Sequence, residues 1–227
     1  MIPVAGSLSV WDRSRAFARA LLFVGLAVTF STVAVTQEAF ALTDPTPTDS
    51  VKHTITDVLR ILQQDELKQP DRIAERRLQV EQVIRQGVSY EEMAQRALGA
   101  TWLSLSETEQ KEFVDLFVQL LREAFAGKID RYADEQVQYL SEDRQLHAAE
   151  VHTKLVGQKL DTLLDFRLAD RSGEWLVYDV VIDGASIVGN YRAQFTNIMR
   201  DHAYSGLVER MKQHMLIVKT FEQTAAP

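Results

Sequence analysis

The side chains best suited to chemistry are scattered along this chain in a way that argues against catalysis. Its five histidines are His53, His147, His152, His202 and His214, and none pair at the H-E-x-x-H spacing that sets two imidazoles on one helix face for zinc. His147 and His152 fall near Asp143 and Glu150 and could share a neighbourhood with them, but the plainer expectation is solvent-facing rings. The carboxylate pairs Glu91/Glu92 and Asp134/Glu135 stand where helix starts and loops carry charge, so a solvated role is expected of them. Gly184-Ala185-Ser186-Ile187-Val188-Gly189 has one residue too many for the G-x-S-x-G turn that presents a nucleophilic serine. Gly127-Lys128 lacks the upstream glycine of a phosphate loop. The absence of cysteine excludes disulfides, thiolate metal sites, a cysteine nucleophile and a bacterial lipoprotein anchor. No enzyme, metal or cofactor is implied.

What the chain does supply is apolar surface from several elements. Ser106-x-x-Glu109 forms a capping box before a helix carrying Phe113, Leu116, Phe117, Leu120, Leu121, Ala124 and Phe125, a stripe wide enough to cover a sheet. From Gln136 the apolar period falls from about 3.6 residues to about 2. Val137/Tyr139, Val151/Thr153/Leu155, Leu164/Phe166/Leu168 and Trp175 to Ile182 then read as strands. Asp170-Arg171-Ser172-Gly173 reads as a hairpin turn, and Asp183-Gly184 closes the last strand. Helices are expected over 50–67, from Pro70 to Gly87, over 90–98 behind Ser89, and over 185–219 with a break at Gly206. The order of helices, about four antiparallel strands, then helices predicts an α+β fold, with helices packed over one face of a sheet.

The ends are of a different character. Arg13, Arg15 and Arg19 precede an apolar run from Ala20 to Val35, followed by Ala39-Phe40-Ala41. A basic region, an apolar region shorter than the ~20 residues of a spanning helix and an A-x-A site together predict an export signal removed after Ala41. Residues 42–49 form a Pro/Thr/Asp linker, 50–219 a single domain and 220–227 a tail. The whole chain of 227 residues carries net charge −7, with Lys+Arg 25 against Asp+Glu 32, which argues against a nucleic-acid partner.

The run from Gly173 to Phe195 contains Trp175-x-Val177-Tyr178-Asp179-Val180, Gly184 and Ser186, then Asn190-Tyr191-Arg192-x-Gln194-Phe195. With Leu98-Gly99-x-x-Trp102, Gln110, Tyr132 and Tyr204-Ser205-Gly206-Leu207, this resembles the signature of the MlaC family. These are periplasmic phospholipid-binding components of the Mla transport system, also known as toluene-tolerance auxiliary proteins. Phe125 where tyrosine is common, Ala185 for valine and Asp201-His202 for a glycine depart from the pattern.

The resemblance implies a curved antiparallel sheet related to the nuclear-transport-factor-like fold, with helices over it and an apolar cavity between the layers for acyl chains. It implies a monomeric periplasmic carrier. Its partners would be a phospholipid, an outer-membrane lipoprotein complex and an inner-membrane Mla-type ABC transporter. A hopanoid-type ligand within the same family, an interaction protein with a filled core, and an enzyme using an inward Asp165 or Asp179 are the alternatives. By the alternation of the strands and the apolar faces of the helices, Phe117, Leu121, Val151, Leu155, Phe166, Leu168, Val177, Tyr191 and Phe195 are expected in the lining. The opposite face of the last strand (Leu176, Tyr178, Val180, Ile182) is nearly as apolar. Asp179, Asn190 and Arg192 are expected to fix the strand-to-helix corner, a headgroup contact by Arg192 being the sharper reading.

Overall fold

A computed structural model describes residues 45–125, 136–157 and 160–213. The expected export signal, the first part of the linker, Gly127, Tyr132, His214 and the tail lie outside the described residues. Helix α1 (Pro47–Leu62) starts before the expected Ser50, because Thr46 and Asp49 close a capping box and Pro47 occupies a first-turn position that needs no N–H. It ends at Leu62, and the chain passes through short 3₁₀ turns at Asp65–Lys68 and Pro70–Arg72 into α2 (Ile73–Gly87). These two helices share a small core of Ile61, Leu62, Leu67 and Val80. The Ser89 hydroxyl accepts from the Glu92 N–H to cap α3 (Tyr90–Leu98), and the Ser106/Glu109 box opens α4 (Glu107–Phe125), both as expected.

The sheet is an antiparallel meander of β1 (Gln136–Arg144), β2 (Ala148–Val156), β3 (Thr162–Arg171) and β4 (Glu174–Ile182), to which a two-residue β5 (Ala185–Ser186) adds a fifth strand. So short a strand has no alternation to read in the sequence. The β3–β4 hairpin turns on Ser172 and Gly173, both at positive φ (58° and 91°), a geometry that matches the twist of the flanking strands. The final helix, α5 (Ile187–Lys212), breaks at Ala203 (φ 55°, ψ −175°) rather than at Gly206. Gly206 answers to that break from the next turn: a Cβ there would lie 2.3 Å from the His202 Cβ.

A β-bulge decides how the sheet meets the helices. Register runs from Arg167↔Asp179 to Leu168↔Val177, leaving Tyr178 as the extra residue of β4. Before the bulge, Trp175 and Val177 join Val51, Ala149, Val151 and Leu168 in a core under α1. Beyond it the parity changes, and Val180, opposite Phe166, packs against a second core among α3, α4 and α5. Phe113, Phe117, Tyr191 and Phe195 fill that second core. Phe117 meets Tyr191 and Phe195 edge-on at centroid separations of 5.3 and 6.0 Å.

Across β1, β2 and β3 the side chain of His152 is held between two carboxylates, Asp143 Oδ2 at 3.2 Å and Asp165 Oδ1 at 3.0 Å. Partial burial pushes its pKa down. The hydrogen bonds that the ring donates to Asp165 and Asp143, with the field of Asp165 and Glu150, outweigh that and hold the imidazolium above the ordinary histidine range. A raised folded-state pKa stabilises fully below the unfolded value of about 6.5 and is lost as pH rises through the folded value. Urea midpoints measured from about pH 6 to 8.5 should therefore fall with pH in a component that His152→Gln lacks; identical pH profiles would sink the assignment.

Candidate functional site

The nine predicted lining residues are distributed over two buried apolar clusters and one separate buried position. Phe117, Leu121, Tyr191 and Phe195 lie in the helical core. Val151, Leu168 and Val177, with half-buried Phe166 against them, lie in the core under α1. Leu155 is buried but belongs to neither. The two cores meet at Val88 and Val180, each of which packs against both. That seam joins the helical layer to the sheet. The Tyr191 hydroxyl stands out within the helical core. The residue is 1% exposed, and its oxygen has no hydrogen-bond partner among the described residues. Burial pushes this phenol well above the usual tyrosine range.

Of the three residues expected to fix the corner, Asp179 does so, with Arg167, Ser186 and Val188 as its partners in place of Asn190 and Arg192. This carboxylate, on a residue 3% exposed, accepts from the Val188 N–H (3.0 Å), the Ser186 hydroxyl (2.6 Å) and Arg167 Nη1 (3.3 Å). Three donors from α5, β5 and β3 occupy it, so its role is to fix the turn from sheet to helix. Asp165, the other acid proposed for an inward position, is engaged with His152. Asn190 accepts from Gln194 within α5.

Beside this corner a cleft of about 730 Å³ opens between α3, the 3₁₀ turn Gly99–Ser104, β4 and the start of α5. Glu92, expected to be solvated, is instead 5% exposed and held between Arg96 and Arg171. The Arg96 guanidinium also lies 3.8 Å from the centroid of the Tyr178 ring. A neighbouring cleft of about 430 Å³ shares Gly99, Ala100 and Arg192 with the first. Sequence reasoning missed this arrangement. Glu92 and Arg96 look like an ordinary exposed i,i+4 pair, and nothing local brings Arg171 to a helix so distant in the chain.

Glu150, His152 and Asp165 present ligand atoms within 4.8 Å of one another. Arg167 engages Glu150 and two carboxylates engage the imidazole, an arrangement that favours a proton on His152 over a metal ion.

Residues 52–213 match the family model described as MlaC protein. The chain belongs to the MlaC family. It is 26% identical over 132 residues to the intermembrane phospholipid transport system binding protein MlaC of Haemophilus influenzae. That match covers 56% of this chain and 62% of the relative, so the chain aligns with under two thirds of the relative's length. The MlaC fold is also shared with a phospholipid-binding protein from Ralstonia solanacearum, solved in complex with a phospholipid. The TM-score is 0.64 at 23% identity, covering 72% of this chain and 93% of that one. These likenesses carry the mixed fold of helices over an open antiparallel sheet.

Two substitutions test the assigned roles. Asp179→Ala should cost about 1–3 kcal/mol in urea unfolding, because it leaves the Val188 N–H and the Ser186 hydroxyl without their acceptor while half-exposed Arg167 keeps Glu150; a loss below about 0.5 kcal/mol would remove Asp179 from the corner's foundations. Tyr191→Phe, by contrast, should leave the stability of lipid-free protein unchanged or slightly raised, since the deleted hydroxyl bonds nothing. A marked loss would reveal a hydrogen bond that the geometry does not contain.

Proposed function

We propose that this chain is a periplasmic, non-catalytic lipid carrier, exported by a signal cleaved after Ala41 and working as a monomer. It takes the acyl chains of a phospholipid along the seam between its two cores and exchanges the lipid between an outer-membrane lipoprotein complex and an inner-membrane ABC transporter. The observation that carries this reading is the meeting of two apolar layers at Val88 and Val180, one of them holding the unpartnered Tyr191 hydroxyl. Relatives named for phospholipid transport and phospholipid binding support it.

The physical demand on such a carrier agrees. Two acyl chains of roughly 15 CH₂ groups, at ~0.8 kcal/mol per group, carry on the order of 20 kcal/mol of hydration cost, which the protein must cover while crossing water. Apolar side chains do this without any catalytic group. Chains entering the seam replace side-chain contacts with chain contacts, so little apolar surface meets water in the exchange. Among the described residues no helix is long and apolar enough to cross a membrane. Release into another apolar conduit need not cost the full hydration energy.

Native mass spectrometry of the protein purified from the periplasm, with lipid extraction, should show a two-chain phospholipid bound. Phe166→Glu, at a half-buried position beside the seam, should lower loading from vesicles severalfold while the fold persists by circular dichroism. A hopanoid in the extract would redirect the ligand class. Protein that emerges empty and takes up nothing from vesicles would favour a filled-core interaction protein and defeat the carrier reading.

A further inference from the structure

The cleft beside the Asp179 corner has the wrong charge for this molecule. The chain is net −7, yet four arginines (Arg96, Arg167, Arg171 and Arg192) line the cleft against two carboxylates, Glu92 and Asp179. Both carboxylates are consumed internally: Glu92 bridges Arg96 and Arg171, and Asp179 accepts from Arg167. Arg192 differs from the others. It is exposed, forms no ion pair among the described residues and is common to the two adjoining clefts. Its guanidinium lies against Gly99, whose position a Cβ would bring to 3.4 Å from Arg192 Nε.

The cleft is also not polar throughout. Trp102 and Val188 form part of its wall, and both belong to the helical core that contains Phe117 and Phe195. A charged rim standing directly on the apolar core is the arrangement required at the boundary of an amphipathic ligand. A free guanidinium with its planar fork of donors suits the paired oxygens of a phosphate group. The Arg96–Glu92–Arg171 bridge holds the other guanidinium groups in place, so they contribute positive field without having to be ordered on binding.

We infer that the cleft around Arg192 is a phosphate-binding site that receives the phosphodiester of a lipid whose acyl chains occupy the adjoining core. Arg192 is the residue that touches the anion. The inference rests on the carrier reading for the source of the phosphate; the anion chemistry of the cleft stands apart from it.

The test uses soluble short-chain probes: dihexanoylphosphatidylglycerol, dihexanoylglycerol, which lacks phosphate, and inorganic phosphate. Affinities come from calorimetry, and the arginine Nε–Hε NMR signals report contact. The phosphatidyl lipid should bind roughly tenfold or more tightly than the diacylglycerol and shift the Arg192 signal, with the advantage shrinking as salt rises. Arg192→Gln should erase most of that advantage and Arg192→Lys should retain part of it, with diacylglycerol binding unchanged in both. Arg192 is exposed, so neither variant threatens the fold. Equal affinity for the two diacyl compounds, or an advantage that survives Arg192→Gln, overturns the inference while leaving the carrier reading intact. Inorganic phosphate that binds at Arg192 when neither diacyl compound binds at all upholds the anion site and defeats the carrier reading.

Discussion

The arrangement depends most on one buried carboxylate. An ionised group shut away from water is tolerable only when donors surround it, and Asp179 draws its donors from three separate elements. Arg167 ties in β3, Ser186 ties in β5, and the Val188 N–H ties in the first turn of α5. That convergence sets the rotation of α5 about its own axis. Successive helical residues diverge by about 100°, so once the first turn is pinned, Tyr191 turns into the core while its neighbour Arg192 turns out toward the cleft. One carboxylate thus aims both the orphaned phenol and the unpaired guanidinium.

The bulge at Tyr178 does comparable work within the sheet. A regular β4 would commit one side-chain parity to one core. Val177 lies opposite Leu168 and Val180 opposite Phe166, so the extra residue brings Val177 and Val180 onto one face of the sheet, where Val180 extends the core under α1 and also touches the helical core. Tyr178 itself leaves the alternation and lies under Arg96 at the cleft. The same irregularity that joins the two cores therefore places an aromatic ring among the arginines.

Much of this was legible from residue order alone. The capping residues Ser89 and Ser106, the alternation in β2 and β3 and the hairpin at Ser172-Gly173 rest on local interactions, which a sequence displays directly. The Trp175 to Phe195 signature pointed to the family, and the corner built on Asp179 stands where it was expected. What stayed hidden was non-local. The lining face of β4 could not be chosen because both faces of the strand are apolar, and the bulge at Tyr178 brings Val177 and Val180 together without any marker in composition. Glu92 read as a solvated acid because its burial is imposed by Arg171, reached only when the β3–β4 hairpin folds back onto α3. The helix break moved from Gly206 to Ala203 because the glycine answers to the crowding created by the break and does not itself adopt the broken conformation.

Among the described residues the sheet has an outer edge at β1, and an unpaired row of backbone groups is an invitation to a second chain. Here the row is interrupted: register shifts between Tyr139 and Ser141, leaving Leu140 as a bulge, and Glu142 and Asp143 follow immediately. A strand approaching from outside would find its ladder broken midway, beside two acids already held by the Thr48 N–H and hydroxyl and by His152. An open sheet interrupted in this way offers a second chain a poorer template than an unbroken edge would.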